Sequence, residues 1–231
     1  MKRIRTNKKL LKVLCLGLVM VMTMVFPMNA EAAGLKKARY TYVTLDGSVF
    51  SSDGIVYNYF QYPELKGKTK AVKRINKAFT SAANKHVNED LYEPANGDTY
   101  YHTVDTKAGY NKKRVFSVRY HFEWYMGGVV NIDEYGDTFS LKTGKKLKIT
   151  SVVARKYARP AKLRSVIYKK LAKKYGYEVA NEFRRTYKSN KKLKKADFYV
   201  NKKGRVIVCF RTYDIAYGLM GCLTVSLPSR L

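Results

Sequence analysis

Residues 116–124 read Phe-Ser-Val-Arg-Tyr-His-Phe-Glu-Trp. Phe116, Val118, Tyr120, Phe122 and Trp124 alternate with Ser117, Arg119, His121 and Glu123, and a period of two puts each set on its own face of a β-strand. Gly127 and Gly128 then turn the chain into a second strand, expected over 129–141 and ending in the KTGKK turn at 142–146. A hairpin closed tightly around Gly127 would set His121 opposite Asp133 and Glu123 opposite Asn131. A histidine flanked by two carboxylates can bind a metal or move a proton. A polar strand face with a salt-bridged histidine has the same sequence, so no catalytic residue and no metal ligand is assigned.

Upstream, 38–63 reads as strands, YTYVTL and IVYNYFQY separated by the turn-rich DGSVFSSDG. From Thr69 to Leu91 the period lengthens: Val72, Ile75, Phe79 and Ala82 form one stripe of an amphipathic helix that Pro94 closes. Residues 95–113 read as a polar loop. Downstream, Leu163, Ile167, Leu171 and Tyr175 step by four through a helical region over 161–187 that Gly176 interrupts. FYVNKKGRVIVCF and CLTVSLP supply the closing strands. The fold class expected is α+β, an antiparallel sheet with helices packed on one face, with subdomains 33–113 and 114–231 packed as one unit.

The N-terminus has a different character. MKRIRTNKKLLK is cationic, Val13–Phe26 is unbroken apolar sequence, and small residues follow up to Ala32. That order is built like a secretory signal peptide over 1–32, cut between Ala32 and Ala33; the apolar run is shorter than the roughly 20 residues of a membrane-spanning helix. The expectation is a secreted or envelope-associated protein.

The 231 residues carry 46 Lys+Arg against 17 Asp+Glu. Removing 1–32 takes away six basic residues and one acid, leaving a net charge of +24. Such a body attracts polyanions over a Debye length of about 8 Å. Outside a cell these are wall polymers, acidic glycans or released DNA; no groove-reading motif argues for specific nucleic-acid recognition. Between Ala154 and Lys195 sixteen basic residues face two acids, and Arg155, Lys156, Lys169, Lys170, Lys173, Lys174, Arg184 and Arg185 are the candidate binding residues. The 20 tyrosines suit half-wet faces and stacking on sugars. Cys209 and Cys222, on or beside the last two strands, are candidates for a disulfide in an oxidising compartment. No G-x-S-x-G, H-E-x-x-H or C-x-x-C occurs, so neither enzyme chemistry nor a cofactor is assigned.

Three stretches carry a resemblance. YPELKGKTKAVKRINKAF (62–79), LKTGKKLKI (141–149) and the end of the chain from Phe198 to Pro228 resemble a pair of bacterial extracellular domains of undetermined function. These domains form the ectodomain of the lysozyme-sensing anti-sigma-V factor and precede the catalytic domain of certain peptidoglycan deacetylases. The resemblance implies an envelope module that contacts a wall polymer, lysozyme or another envelope protein. Neither the sigma-binding domain nor the deacetylase domain of those relatives has a counterpart here, which implies no sigma-factor partner. Two departures stand out: Val129-Val130-Asn131 where the family often has a histidine, and Tyr217-Gly218 where it tends to have Pro-Tyr. A lysozyme, itself basic, would have to meet acids such as Glu123, Asp133, Glu134 and Asp137.

Overall fold

The computed structural model describes residues 35–89 and 97–231. The leader, its cleavage point at Ala32 and Ala33, and the helix stop at Pro94 lie outside the described residues. No helix among them is long and apolar enough to cross a membrane.

Six strands, β1 (Arg39–Asp46), β2 (Val49–Ser51), β3 (Gly54–Lys66), β4 (Asp98–Lys112), β5 (Val115–Tyr125) and β6 (Asn131–Ser140), form one sheet in the order β1-β3-β4-β5-β6, with β2 also on β3. Between β3 and β4 runs helix α1 (Lys70–Val87). Those two strands pair in parallel, while the others are antiparallel. A parallel pair needs a long crossover, and α1 supplies it. A second sheet, β7 (Phe198–Val200), β8 (Arg205–Phe210) and β9 (Leu223–Pro228), is antiparallel. It carries helices α2 (Pro160–Tyr175), α3 (Tyr177–Thr186) and α4 (Asn190–Lys194). The class is α+β as the patterning implied, and α2 gives way to α3 at Gly176.

Helix α1 starts where Thr69 accepts a hydrogen bond from the Val72 amide, satisfying one of the orphan donors of the first turn. Its buried stripe is Val72, Ile75, Phe79, Ala83 and His86. Ala83 therefore takes the place expected for Ala82, which is exposed. Phe79 meets Phe116 and Phe139 edge-on, so the alternation of β5 is read out as burial against this helix. Asn76, beside the stripe, clamps the end of β3: its side chain accepts from the Leu65 amide and donates to the Leu65 carbonyl, both at 2.9 Å.

The two sheets have separate cores, joined where β7 crosses β5 and β6. The Val200 amide donates to Ser117 Oγ at 2.8 Å, and Ser117 in turn bonds Thr138. Glycines make this approach possible: a Cβ on Gly136 would stand 2.4 Å from the Val118 carbonyl oxygen and 2.6 Å from Tyr199 Cβ, and one on Gly109 would stand 2.4 Å from the Val200 carbonyl oxygen. Position 113, where the subdomains were expected to divide, falls in the turn of the β4–β5 hairpin.

Three expectations are corrected. Residues 98–112 form strand β4, not a loop; His102, Thr103 and Thr106 are buried in it and find partners such as the Gln61 carbonyl, so its polar composition hid a central strand. The β5–β6 turn spans 126–130 and is wider than a tight Gly127 turn. It shifts the register by one, pairing His121 with Glu134 and Glu123 with Ile132. Finally, Cys209 and Cys222 are free thiols. Cys209 pairs with Thr224, so Cys222 sits on a diagonal, where side chains start roughly 7–8 Å apart, too far for the S–S geometry.

Candidate functional site

The short helix α4 is held by one cap and one anchor. Ser189 accepts from the Lys192 amide at 3.0 Å, and Leu193 is fully buried, which leaves Lys191, Lys192 and Lys194 facing solvent. Across from it, the chain leaving β6 is tied down by the Leu147 amide donating to the Thr138 carbonyl at 2.7 Å. Lys146 and Lys148 flank that anchored Leu147 and are exposed. Between the two lies a groove of 630 Å³ with rims of Lys146, Lys148, Lys191, Lys194 and Lys195 and a floor that includes Leu147, Ala196 and Phe198. A smaller cleft running by Tyr187, Ser189 and Lys192 shares Lys191 and Lys195 with it.

Among the described residues, Lys146 is the one groove lysine in an ion pair, with Asp137. Lys148, Lys191, Lys194 and Lys195 face the groove without a carboxylate partner among the described residues. Four ammonium groups on one concavity repel one another, and an anion entering it relieves that repulsion. Long alkyl stems and the apolar floor also suit a polymer that presents methylene or sugar surface between its charges.

The eight basic residues singled out in the sequence do not line this groove. Several are engaged locally: Arg185 pairs with Glu182 through two 2.9 Å hydrogen bonds, Arg184 lies over the Tyr168 ring, Lys156 over Tyr157, and Lys174 over Tyr175 while donating to the Thr224 carbonyl. Lys169, Lys170 and Lys173 lie along α2, and Arg155 on a 3-10 turn beside it. The charge-dense segment over 154–195 also contains Lys191, Lys194 and Lys195, which line the groove. Lys146 and Lys148 escaped notice since the groove is assembled from two distant stretches.

A second cleft, of 240 Å³, shares Lys146 and Asp197 with the groove and is lined further by His86, Glu89, Tyr120, Tyr135, Asp137 and Arg211. Arg211 donates to Asp197 at 3.1 Å and stacks over Tyr135 at 4.1 Å; Tyr120 donates to Asp137 at 3.2 Å. Burial pushes both tyrosine hydroxyls well above their ordinary range, so they stay protonated and serve as donors. Burial also raises the Asp197 carboxyl despite Arg211 beside it.

His121 does not meet Asp133. Asp133 is buried and accepts from the amide and hydroxyl of Thr212 at 2.6 and 2.7 Å. Glu134 is bonded by Arg119 and Asp137 by Lys146, so three of the four carboxylates considered for a basic partner are engaged inside the fold. A constellation that the sequence reading passed over is instead formed by His86, Glu89 and His102, whose potential ligand atoms lie within 4.8 Å of one another.

No family model matches this sequence, and no curated protein does. Solved structures do match. The fold is similar to that of a DUF3298 family member from Bacteroides fragilis, with a TM-score of 0.56 and 13% identity over 84% of this chain and 92% of that one. It is also similar to a DUF3298 family protein from Pseudomonas aeruginosa PAO1, at 0.52 and 10% identity over 84% and 91%. At such identities the likeness is one of fold, and it is to a domain family of unknown function.

Proposed function

We propose that this chain is a non-catalytic, secreted binding module that holds an anionic cell-wall polymer or glycan in the lysine groove between α4 and residues 146–148. The observation that carries this reading is the set of four ammonium groups, unpaired among the described residues, on one concave, apolar-floored surface. Supporting it are the leader-like order of residues 1–32 and the +24 charge beyond them. The resemblance of 62–79, 141–149 and 198–228 to the ectodomains of anti-sigma-V factors and deacetylases supports an envelope location.

The test is co-sedimentation with purified cell walls at rising salt. Changing Lys148, Lys191, Lys194 and Lys195 together to Glu should abolish retention, and neutralising the four to Gln should flatten the log affinity against log salt slope by about three on the single-strand polyanion scale. Changing Lys169, Lys170, Lys173 and Lys174 on α2 to Glu serves as the control for net charge. Equal losses in the two Glu variants would show that charge alone is read and that the groove is no site; salt-independent retention would exclude polyanion binding altogether.

A further inference from the structure

We propose that the β5–β6 turn and the loop between β8 and β9 are two neighbouring protrusions that insert into the surface of an anionic phospholipid bilayer. Among the described residues, seven of the twelve exposed large hydrophobic side chains stand on these segments. Val129, Val130 and Ile132 come from the turn and the start of β6. Tyr213, Tyr217, Leu219 and Met220 come from the loop, where Leu219 is 99% exposed and Tyr217 83%. Side-chain bonds hold the loop against the turn. At one stem Thr212 donates to Asp133, and at the other Cys222 Sγ donates to the Glu134 carbonyl at 3.4 Å, so both stems meet the stretch of β6 that follows Ile132.

The loop is built to hold its apolar side chains outward. Tyr213 has a φ of 69°, in the left-handed region that side chains rarely adopt, and its ring lies so close over Gly218 that a Cβ there would stand 2.3 Å from it. The Met220 amide donates to the Tyr217 carbonyl at 3.0 Å and the Gly221 amide to the Gly218 carbonyl at 2.9 Å. These bonds close a 3-10 turn over Gly218–Met220 with Leu219 at its tip. In water that tip is unfavourable, and its transfer to an apolar phase is the favourable step.

Composition selects the occupant. Residues 124–132 and 215–229 hold no charged residue in a chain with 46 Lys+Arg, so entering the boundary between headgroups and acyl chains strips water from no ion. The acids that flank them are engaged: Asp214 accepts from the Tyr187 hydroxyl at 2.5 Å and Glu134 from Arg119 at 3.0 Å. Tyrosines suit the headgroup level, with aliphatic tips below them. The +24 body adds attraction to anionic headgroups, and stable peripheral attachment takes two such signals, one apolar and one basic. A stable protein interface takes roughly 20–30 residues a side, more than two narrow loops offer.

The experiment is co-sedimentation with sucrose-loaded vesicles of equal parts phosphatidylcholine and phosphatidylglycerol. It uses the chain from residue 33, because the apolar run at 13–26 would bind lipid by itself; every strand and helix of the two sheets lies within that span. Changing Val129 and Leu219 together to Ser, at exposed positions that spare the fold, should weaken partition at least about tenfold. Tyr177→Ser should leave it unchanged: Tyr177 is also exposed, but it starts α3, whereas Tyr187 at the other end meets Asp214. Phosphatidylcholine brominated along its acyl chains should quench Trp124, the one tryptophan of the chain and close to the turn, in the wild type and not in the double variant. No partition into these vesicles would overturn the proposal and leave the loops to a protein partner. Equal partition of wild type and double variant would overturn it too, since charge alone would then hold the protein to lipid.

Discussion

Cys222 and Cys209 show how position on a sheet governs chemistry. Both thiols are pushed up by burial, Cys222 to about 11, so at pH 8 roughly a thousandth of Cys222 is thiolate, the reactive form. In the unfolded chain it would titrate near 8.5 to 9. Native-state alkylation of Cys222 should therefore climb about tenfold per pH unit up to pH 10, whereas in urea it should level off near pH 9. Peptide mapping by mass spectrometry reads both. The linkage has the same sign: stability from this group is complete below about 8.5 and is lost as pH rises towards 11. A Cys209–Cys222 bridge in non-reduced protein would refute the diagonal placement.

Helix α1 combines a cap, a stripe and a clamp, and their contributions differ in size. Thr69→Ala removes the oxygen that accepts from Val72 and should destabilise by about 1 kcal/mol. Phe79→Ala empties a fully buried position between Phe116 and Phe139 and should cost about 3–5 kcal/mol. Urea midpoints at constant slope measure both, and a Phe79 effect no larger than that of Thr69 would mean that the helix barely contributes to the sheet's core. Strand β4 teaches the complementary lesson. Its buried histidine and threonines are satisfied by tertiary partners, so hydropathy gave no period and the stretch read as a loop.

Two cores that share only a seam could unfold separately, yet the seam is a buried hydrogen-bond relay. The Val200 amide, Ser117 and Thr138 are all fully buried, and opening the seam would leave polar groups unpaired at about 1–3 kcal/mol each. Thermal unfolding followed by Trp124 fluorescence, which reports the first sheet, should coincide with far-ultraviolet circular dichroism, which also reports α2 and α3; divergent midpoints would mean that the halves fold independently. The net charge acts on the same scale. Self-repulsion of a +24 body is screened by salt, so the urea midpoint should rise between 0.05 and 0.5 M NaCl, and a fall would show that ion pairs outweigh the repulsion.

What the amino-acid sequence determined by itself was local or additive. The alternation over 116–124, the three- and four-residue steps of α1, the break at Gly176 and the closing hairpin are periodicities of neighbouring residues, and the cationic excess is a sum over all of them. Tertiary structure decided whatever depends on register or on distant stretches meeting. The width of one turn separated His121 from Asp133, and a diagonal offset kept two cysteines apart. A parallel crossover brought His102 beside His86, and the packing of α4 against residues 146–148 gathered five lysines that are up to 49 residues apart in the chain. Spacing along a strand or helix is set by backbone geometry, whereas these encounters are set by how the two cores close on each other.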